Sequence, residues 1–249
     1  MSERVGSPGN TDRQAGDLYQ SHLQVELQRI DLRLQRAVRL WQEAGQNPND
    51  AFRGLYISDE EADALLSRPL STGWGHGTTL TTELEAAFRQ KSADLAQAAA
   101  NIASAAQEQR RLLPLVHLRE AFGLSQFELD TLLIAIAPSV DLRYERLYGY
   151  LQDDVTRKRP TVNLVLDLLA EPGIGRLPLL AAFEPGAPLF RHHLLELQGP
   201  GEASHAPKAA PLLANVLHAD EGLVAWLLGR YRPHTALAGH LSVHQVPPE

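Results

Sequence analysis

"LPLVHLREAFGLSQFELDTLLIAIAP", residues 113–138, holds the punctuation of two short helices meeting at a turn. Pro114 either ends the element before it or starts a new one, and Leu115, Leu118 and Phe122 share one face of the helix that closes at Gly123. Gly123 supplies the left-handed residue that commonly ends a helix. Ser125 and Glu128 then stand at the spacing of a capping box, ahead of Leu129, Leu132, Leu133 and Ile136. Helix, glycine turn and capped helix together make helix-turn-helix grammar.

Downstream, "LRYERLYGYLQDD" (142–154) predicts another helix, and a further one is expected from Pro160 to Leu169. Beyond Pro172 the chain is punctuated by Pro and Gly, with the short apolar runs "RLPLLAAF" (176–183), "PLFRHHLLEL" (188–197) and "LLANVLHA" (212–219). The second and third of these can pair as an antiparallel wing across the loop "GPGEASHAPKAAP" (199–211). Asp220 can cap a last helix, "EGLVAWLLGR" (221–230), stopped by Gly229 and Pro233.

Upstream, residues 20–44 place Leu23, Leu27, Ile30, Leu34, Ala37 and Trp41 on one face of a long amphipathic helix, with Gly45 as its stop and an Arg- and Gln-rich opposite face. Ser58 and Glu61 mark a short helix broken at Pro69, and "TGWGHGTT" (72–79) reads as a connector, since it lacks the Lys of a phosphate loop. A helix is expected from Thr82, with Glu85 at capping-box spacing, to about Leu113, its face marked by Leu84, Phe88, Leu95, Ile102 and Ala106. The fold class that follows is mainly α: a helical hairpin or bundle, then a winged-helix-like domain with a short β-wing. The expected divisions are a disordered tail at 1–18, the hairpin at 19–112, the winged-helix-like domain at 113–232 and a linker at 233–249.

Composition narrows the function. At 44% hydrophobic and 21% charged residues the chain is that of a folded protein, and a net charge of −7 argues against one that coats nucleic acid, because that mode needs a positive footprint. It has no cysteine, no apolar run of membrane-spanning length and a polar start, from which a cytoplasmic location is expected. The basic cluster Arg157, Lys158 and Arg159 lies just before the 160–169 helix, where a DNA-reading helix would be approached. That helix carries Val162, Leu164, Val165, Leu166, Leu168 and Leu169, and its polar stripe is only Asn163 and Asp167. Base readout needs exposed Arg, Lys, Asn, Gln or Ser, and an aspartate there repels phosphate. Asp153 and Asp154 also stand against the three cations.

The block "LREAFGLSQFELDTLLIAIAPSVDLRYERLYGYLQDDVTRKRPTVNLVLDLL" (118–169), with "ANVLHADEGLVAWLLG" (214–229), resembles the winged-helix-like region that precedes the ATPase module in bacterial AAA-type ATPases associated with phage-tail-like contractile injection systems. The resemblance covers about residues 110–232 and is most specific around Tyr148 to Pro160. It implies a non-catalytic recognition and regulatory module that binds protein partners and positions the motor, with a homo-oligomer formed through the parent ATPase. The linker at 233–249 would then lead toward that ATPase module.

The chain itself has no G-x-x-x-x-G-K-[ST] run, and "EPGIGRLP" (171–178) is a turn without a phosphate-gripping Lys. No catalytic residue, cofactor site or metal site is therefore expected here, and ATP and magnesium are expected only in the C-terminal module. His192 and His193, as neighbours in an expected strand, would point to opposite faces, and His234, His240 and His244 match no metal-ligand spacing. No G-x-S-x-G elbow occurs. The expected contact residues are Arg157, Lys158 and Arg159, the tyrosines Tyr144, Tyr148 and Tyr150, and Arg29, Arg33 and Arg36 on the long first helix, because Tyr and Arg bind at low entropic cost. Two other functions compete: a winged-helix DNA-binding regulator, and an oligomerisation module seamed by the alanine-rich helix.

Overall fold

The computed structural model describes residues 10–44, 59–67, 78–199 and 210–229. In chain order the helices are α1 (Asn10–Glu43), α2 (Asp59–Ser67), α3 (Thr82–Glu108), α4 (Pro114–Phe122), α5 (Gln126–Val140), α6 (Arg143–Leu151) and α7 (Val162–Leu169). A 3-10 stretch, Ile174–Phe183, and the one-turn α8 (Pro188–Arg191) lead to strand β1 (Leu195–Gln198). Strand β2 (Val216–Ala219) and α9 (Glu221–Leu227) close the described chain.

The helix-turn-helix forms as its residues dictate. Gly123 ends α4 at φ 63°, and Ser125 and Glu128 complete the capping box reciprocally. The Ser125 hydroxyl accepts from the Glu128 amide at 3.2 Å, while the Glu128 carboxylate accepts from the Ser125 amide at 2.8 Å. Behind this cap, every residue of α5 from Glu128 to Pro138 is buried. The Tyr148 hydroxyl donates to the Ile134 carbonyl at 2.8 Å, tying α6 to α5.

The wing is short. β1 and β2 pair antiparallel with Leu195 opposite Ala219 and Gln198 opposite Val216, so the strands occupy only the ends of the two apolar runs. Thr161 forms one further bridge to Val216, supported by the Val162 amide on the Asn215 carbonyl at 3.0 Å and the Leu217 amide on the Pro160 carbonyl at 2.9 Å. The segment entering α7 is thereby a third, one-residue rung of the wing.

Several boundaries differ from expectation. α1 begins at Asn10, so helix reaches into the stretch expected to be a tail. The cap of α3 is Thr81 rather than Thr82: its hydroxyl accepts from the Leu84 amide at 3.3 Å, which leaves Glu85 available to α1. α3 stops at Glu108, with Arg110 at φ 52°, before reaching Leu113. α7 starts at Val162 behind the Thr161 cap, leaving Pro160 outside the helix and bonded to the wing. His192 and His193 lie in the turn after α8, with His193 at φ 54°, not in the strand. Ser58, Gly45, Pro69, most of "TGWGHGTT", Pro233 and the C-terminal histidines fall outside the described residues.

α1 packs along α3 as the expected hairpin, yet it also contacts α5, α6 and α7. Leu23, Leu27, Ile30 and Leu34 of α1 belong to the same buried cluster as Leu115, Leu132, Val165, Leu189 and Leu217. The core runs unbroken across residue 112, where two separate domains were expected, because the apolar stripe of α1 is the surface that α5 to α7 need to bury theirs.

Candidate functional site

The basic turn between α6 and α7 is assembled from within. Gln152, at the end of α6, donates through its amide nitrogen to the carbonyls of Tyr148, Arg157 and Arg159 at 3.2, 3.2 and 3.0 Å. Its amide oxygen accepts from the Thr161 N–H at 3.1 Å, so one side chain spans the whole loop. Asp153 takes the left-handed conformation at φ 52°, and Asp154 makes an Asx turn by accepting from the Thr156 amide at 2.9 Å and from its hydroxyl. That hydrogen bonding, helped by Arg157, holds the Asp154 carboxyl below its usual range. Gly149 lets the loop lie close on α6: a Cβ there would meet the Asp154 carbonyl oxygen at 3.2 Å.

Arg157, Lys158 and Arg159 are all exposed on this frame, and Val155 at its apex is 88% exposed. Arg157 pairs with Asp154 at 3.1 Å and Lys158 with Glu145 at 3.7 Å. Gln152, Gly149 and Val155 were not singled out from sequence. The Asp-x-Thr run of 154–156 was the one local signal that this loop is a built turn.

The tyrosines divide. Tyr144 and Tyr148 are 1% and 0% exposed, so the structure corrects them from contact surface to core. They are part of the apolar face of α6, and each hydroxyl finds an internal acceptor: Tyr148 the Ile134 carbonyl, Tyr144 the Asp31 carboxylate at 2.6 Å. Burial and Asp31 push the Tyr144 phenol up to about 12, which keeps it a donor. Tyr150 is half-buried, its ring tilted on Trp41 at 5.8 Å.

The arginines of α1 serve the fold. Arg29 reaches both Glu26 and, at 3.6 Å, Asp130 of α5, while Arg33 lies 3.4 Å from Asp130. Arg36 makes a two-pronged pair with Glu85 of α3 at 3.1 and 2.7 Å. Asp130 is 2% exposed, and its desolvation raises the carboxyl despite Arg29 and Arg33. A cleft of about 630 Å³ opens beside these side chains, between α1 and α7, floored by Leu164 and Leu168 and edged by Arg33, Arg36, Arg89 and Arg176.

α7 follows the basic loop directly. Val162, Leu164, Val165, Leu166 and Leu168 are buried. Its polar stripe is occupied by partners within the chain: the exposed Asn163 donates to Asp167 at 2.9 Å, and Asp167 binds the buried Arg176 at 2.7 Å. The helix position between α7 and the wing is filled by the 3-10 stretch and the four-residue α8. It exposes Ile174 at 68% and Leu177 at 48%.

A capped helix-turn-helix, a strand-like rung before α7 and a two-stranded wing define a winged-helix fold. Residues 19–241 match the family model described as "Winged helix domain, variant", and the chain belongs to that family. No curated protein and no solved structure matches it. Among the described residues no helix is long and apolar enough to cross a membrane.

Proposed function

We propose that this winged-helix domain is a non-catalytic recognition and regulatory module of an AAA-type ATPase, docking protein partners and positioning the motor in the working of a contractile injection system. One observation carries the docking half of the proposal. Between α7 and the wing the chain presents Ile174 and Leu177 to solvent, on a 3-10 stretch. Exposed aliphatic side chains there suit a protein surface, and a four-residue α8 is too short to lie along a major groove. The ATPase half rests on the resemblance of residues 118–169 and 214–229. In this reading ATP and magnesium are bound by the C-terminal module, these residues supply no catalytic group, and oligomerisation belongs to the parent ATPase.

The test is to delete residues 19–229 from the natural protein and to follow ATP turnover and partner recruitment separately. Retained turnover with lost recruitment is the expected result. Unchanged recruitment would refute the docking role. A regulator that reads DNA predicts instead salt-dependent binding to duplex DNA, lost on neutralising Arg157, Lys158 and Arg159 together.

A further inference from the structure

The 3-10 stretch Ile174–Phe183 turns once every three residues, and its burial follows that repeat. The row Arg176, Leu179 and Ala182 faces inward: Arg176 is buried on Asp167, and the other two pack against the core. The row Gly175, Pro178 and Ala181 is exposed throughout. The third row descends from the exposed Ile174 and Leu177, through half-buried Leu180, to Phe183, which is buried edge-on to Phe127. Ten residues at the 3-10 rise of about 2.0 Å make a ridge about 20 Å long, seated along its inner side and bare along its outer one.

Single exposed aliphatic side chains are ordinary on a protein surface, but a continuous run of them without charge marks an interaction surface. Between Pro172 and Phe183 the one charged side chain is Arg176, and it is buried. Exposed carboxylates close the ridge at its two ends, Glu171 before it and Glu184 after it, and among the described residues neither forms an ion pair. Arg89 edges the same cleft as Glu171, but no ion pair joins them. The outward surface of the ridge is therefore apolar with acidic ends. Phosphates of nucleic acid or of anionic lipid are repelled by those ends, and a second copy of the ridge brings two more carboxylates.

We infer that this ridge seats in an apolar groove of a partner protein, with a cation of the partner meeting Glu171 at one end and Glu184 at the other. This inference rests on the protein-docking reading above and names the chemistry of the surface that receives it. Arg176 and Phe183 already fix the ridge to the core, so docking orders little that was free before.

The experiment places a photoreactive benzoylphenylalanine at Leu177 in the full natural protein, in its own cells, with matched probes at Leu142 and Val155, which are exposed outside the ridge. Mass spectrometry then maps the adducts. The expected outcome is a Leu177 adduct on an apolar peptide of another protein with Lys or Arg beside it. Its yield falls about tenfold or more in the E171K/E184K variant, and is restored when the partner's cations are changed to Glu. Glu171, Leu177 and Glu184 are exposed, and an unchanged melting temperature verifies that the variants fold. Leu177 adducts to protein whose yield is indifferent to the charge reversal would leave docking standing and overturn the basic-ended groove. Adducts to a second copy of this chain, to lipid or to nucleic acid would overturn it as well. If Leu142 or Val155 captures protein while Leu177 does not, docking stands and the ridge falls. If none of the three captures protein, both fall.

Discussion

Tyr148 shows how a single hydroxyl separates a core tyrosine from a contact tyrosine. Its O–H is buried and donates to the Ile134 carbonyl, so Tyr148→Phe leaves a buried acceptor without its partner and is expected to cost about 1–3 kcal/mol in urea unfolding. The α6 tyrosines share one spelling in "RLYGY", and nothing in it distinguishes Tyr150 on Trp41 from Tyr148 in the interior; only the packing of α5 and α1 does. His22 is a second residue whose role is set by burial. It is 4% exposed, and desolvation lowers its imidazole below the ordinary 6.5, with Glu26 opposing and Arg29 adding. A lowered value means the fold favours the neutral ring, so this contribution is complete above 6.5 and is lost as pH falls through the lowered folded-state value. Asp130 and Asp167 act in the opposite sense, their raised carboxyls favouring the fold below the ordinary 3.8 and losing that contribution as pH rises through the folded-state values. The expected result is that wild type loses more stability than His22→Gln between about pH 7.5 and pH 5, with the carboxylate effects common to both. Parallel denaturation curves in the two proteins would refute this.

At the scale of the element, the local grammar carried furthest where a cap or a glycine acts on its own neighbours. The α4–Gly123–Ser125–α5 unit was legible to the residue because each signal is satisfied within three positions. Ser125→Ala removes two of the box's hydrogen bonds and is expected to cost about 0.5–2 kcal/mol, read from thermal melting. The 3-10 stretch at 174–183 was legible only as an apolar run, and its tie to α7, Arg176 on Asp167, reaches across nine residues. The loop before α7 was legible as a basic cluster but not as a built object. Its organiser, Gln152, is a residue type without local preference that works only because α6, the loop and Thr161 converge on it. Gln152→Ala is expected to leave α6 and α7 intact and to loosen residues 153–159. The sign would be faster amide exchange of Arg157 and Thr161, at a stability cost of about 1–3 kcal/mol.

The whole molecule is organised by α1. Its apolar stripe was legible as one face of an amphipathic helix, but sequence could not say whether it served α3 alone or the helices beyond, and it serves both. The Arg29 and Arg33 pairs to Asp130 and the Arg36 pair to Glu85 follow one stripe of the helix, spaced four and three residues apart, and tie it to both α5 and α3. A fragment beginning at residue 113 is expected to lack a cooperative unfolding transition, because Leu23, Leu27, Ile30 and Leu34 are missing from its core. A sharp transition in that fragment would restore the picture of two independent domains.

The rung at Thr161 joins the basic loop to the wing through the Val162 amide on Asn215 and the Leu217 amide on Pro160. These two bonds flank one bridge and are expected to open together, when strand and loop part. Both amides should therefore show the same protection against deuterium exchange, and a partner gripping either side would raise it equally. Whatever seats on the loop is thus reported at the wing.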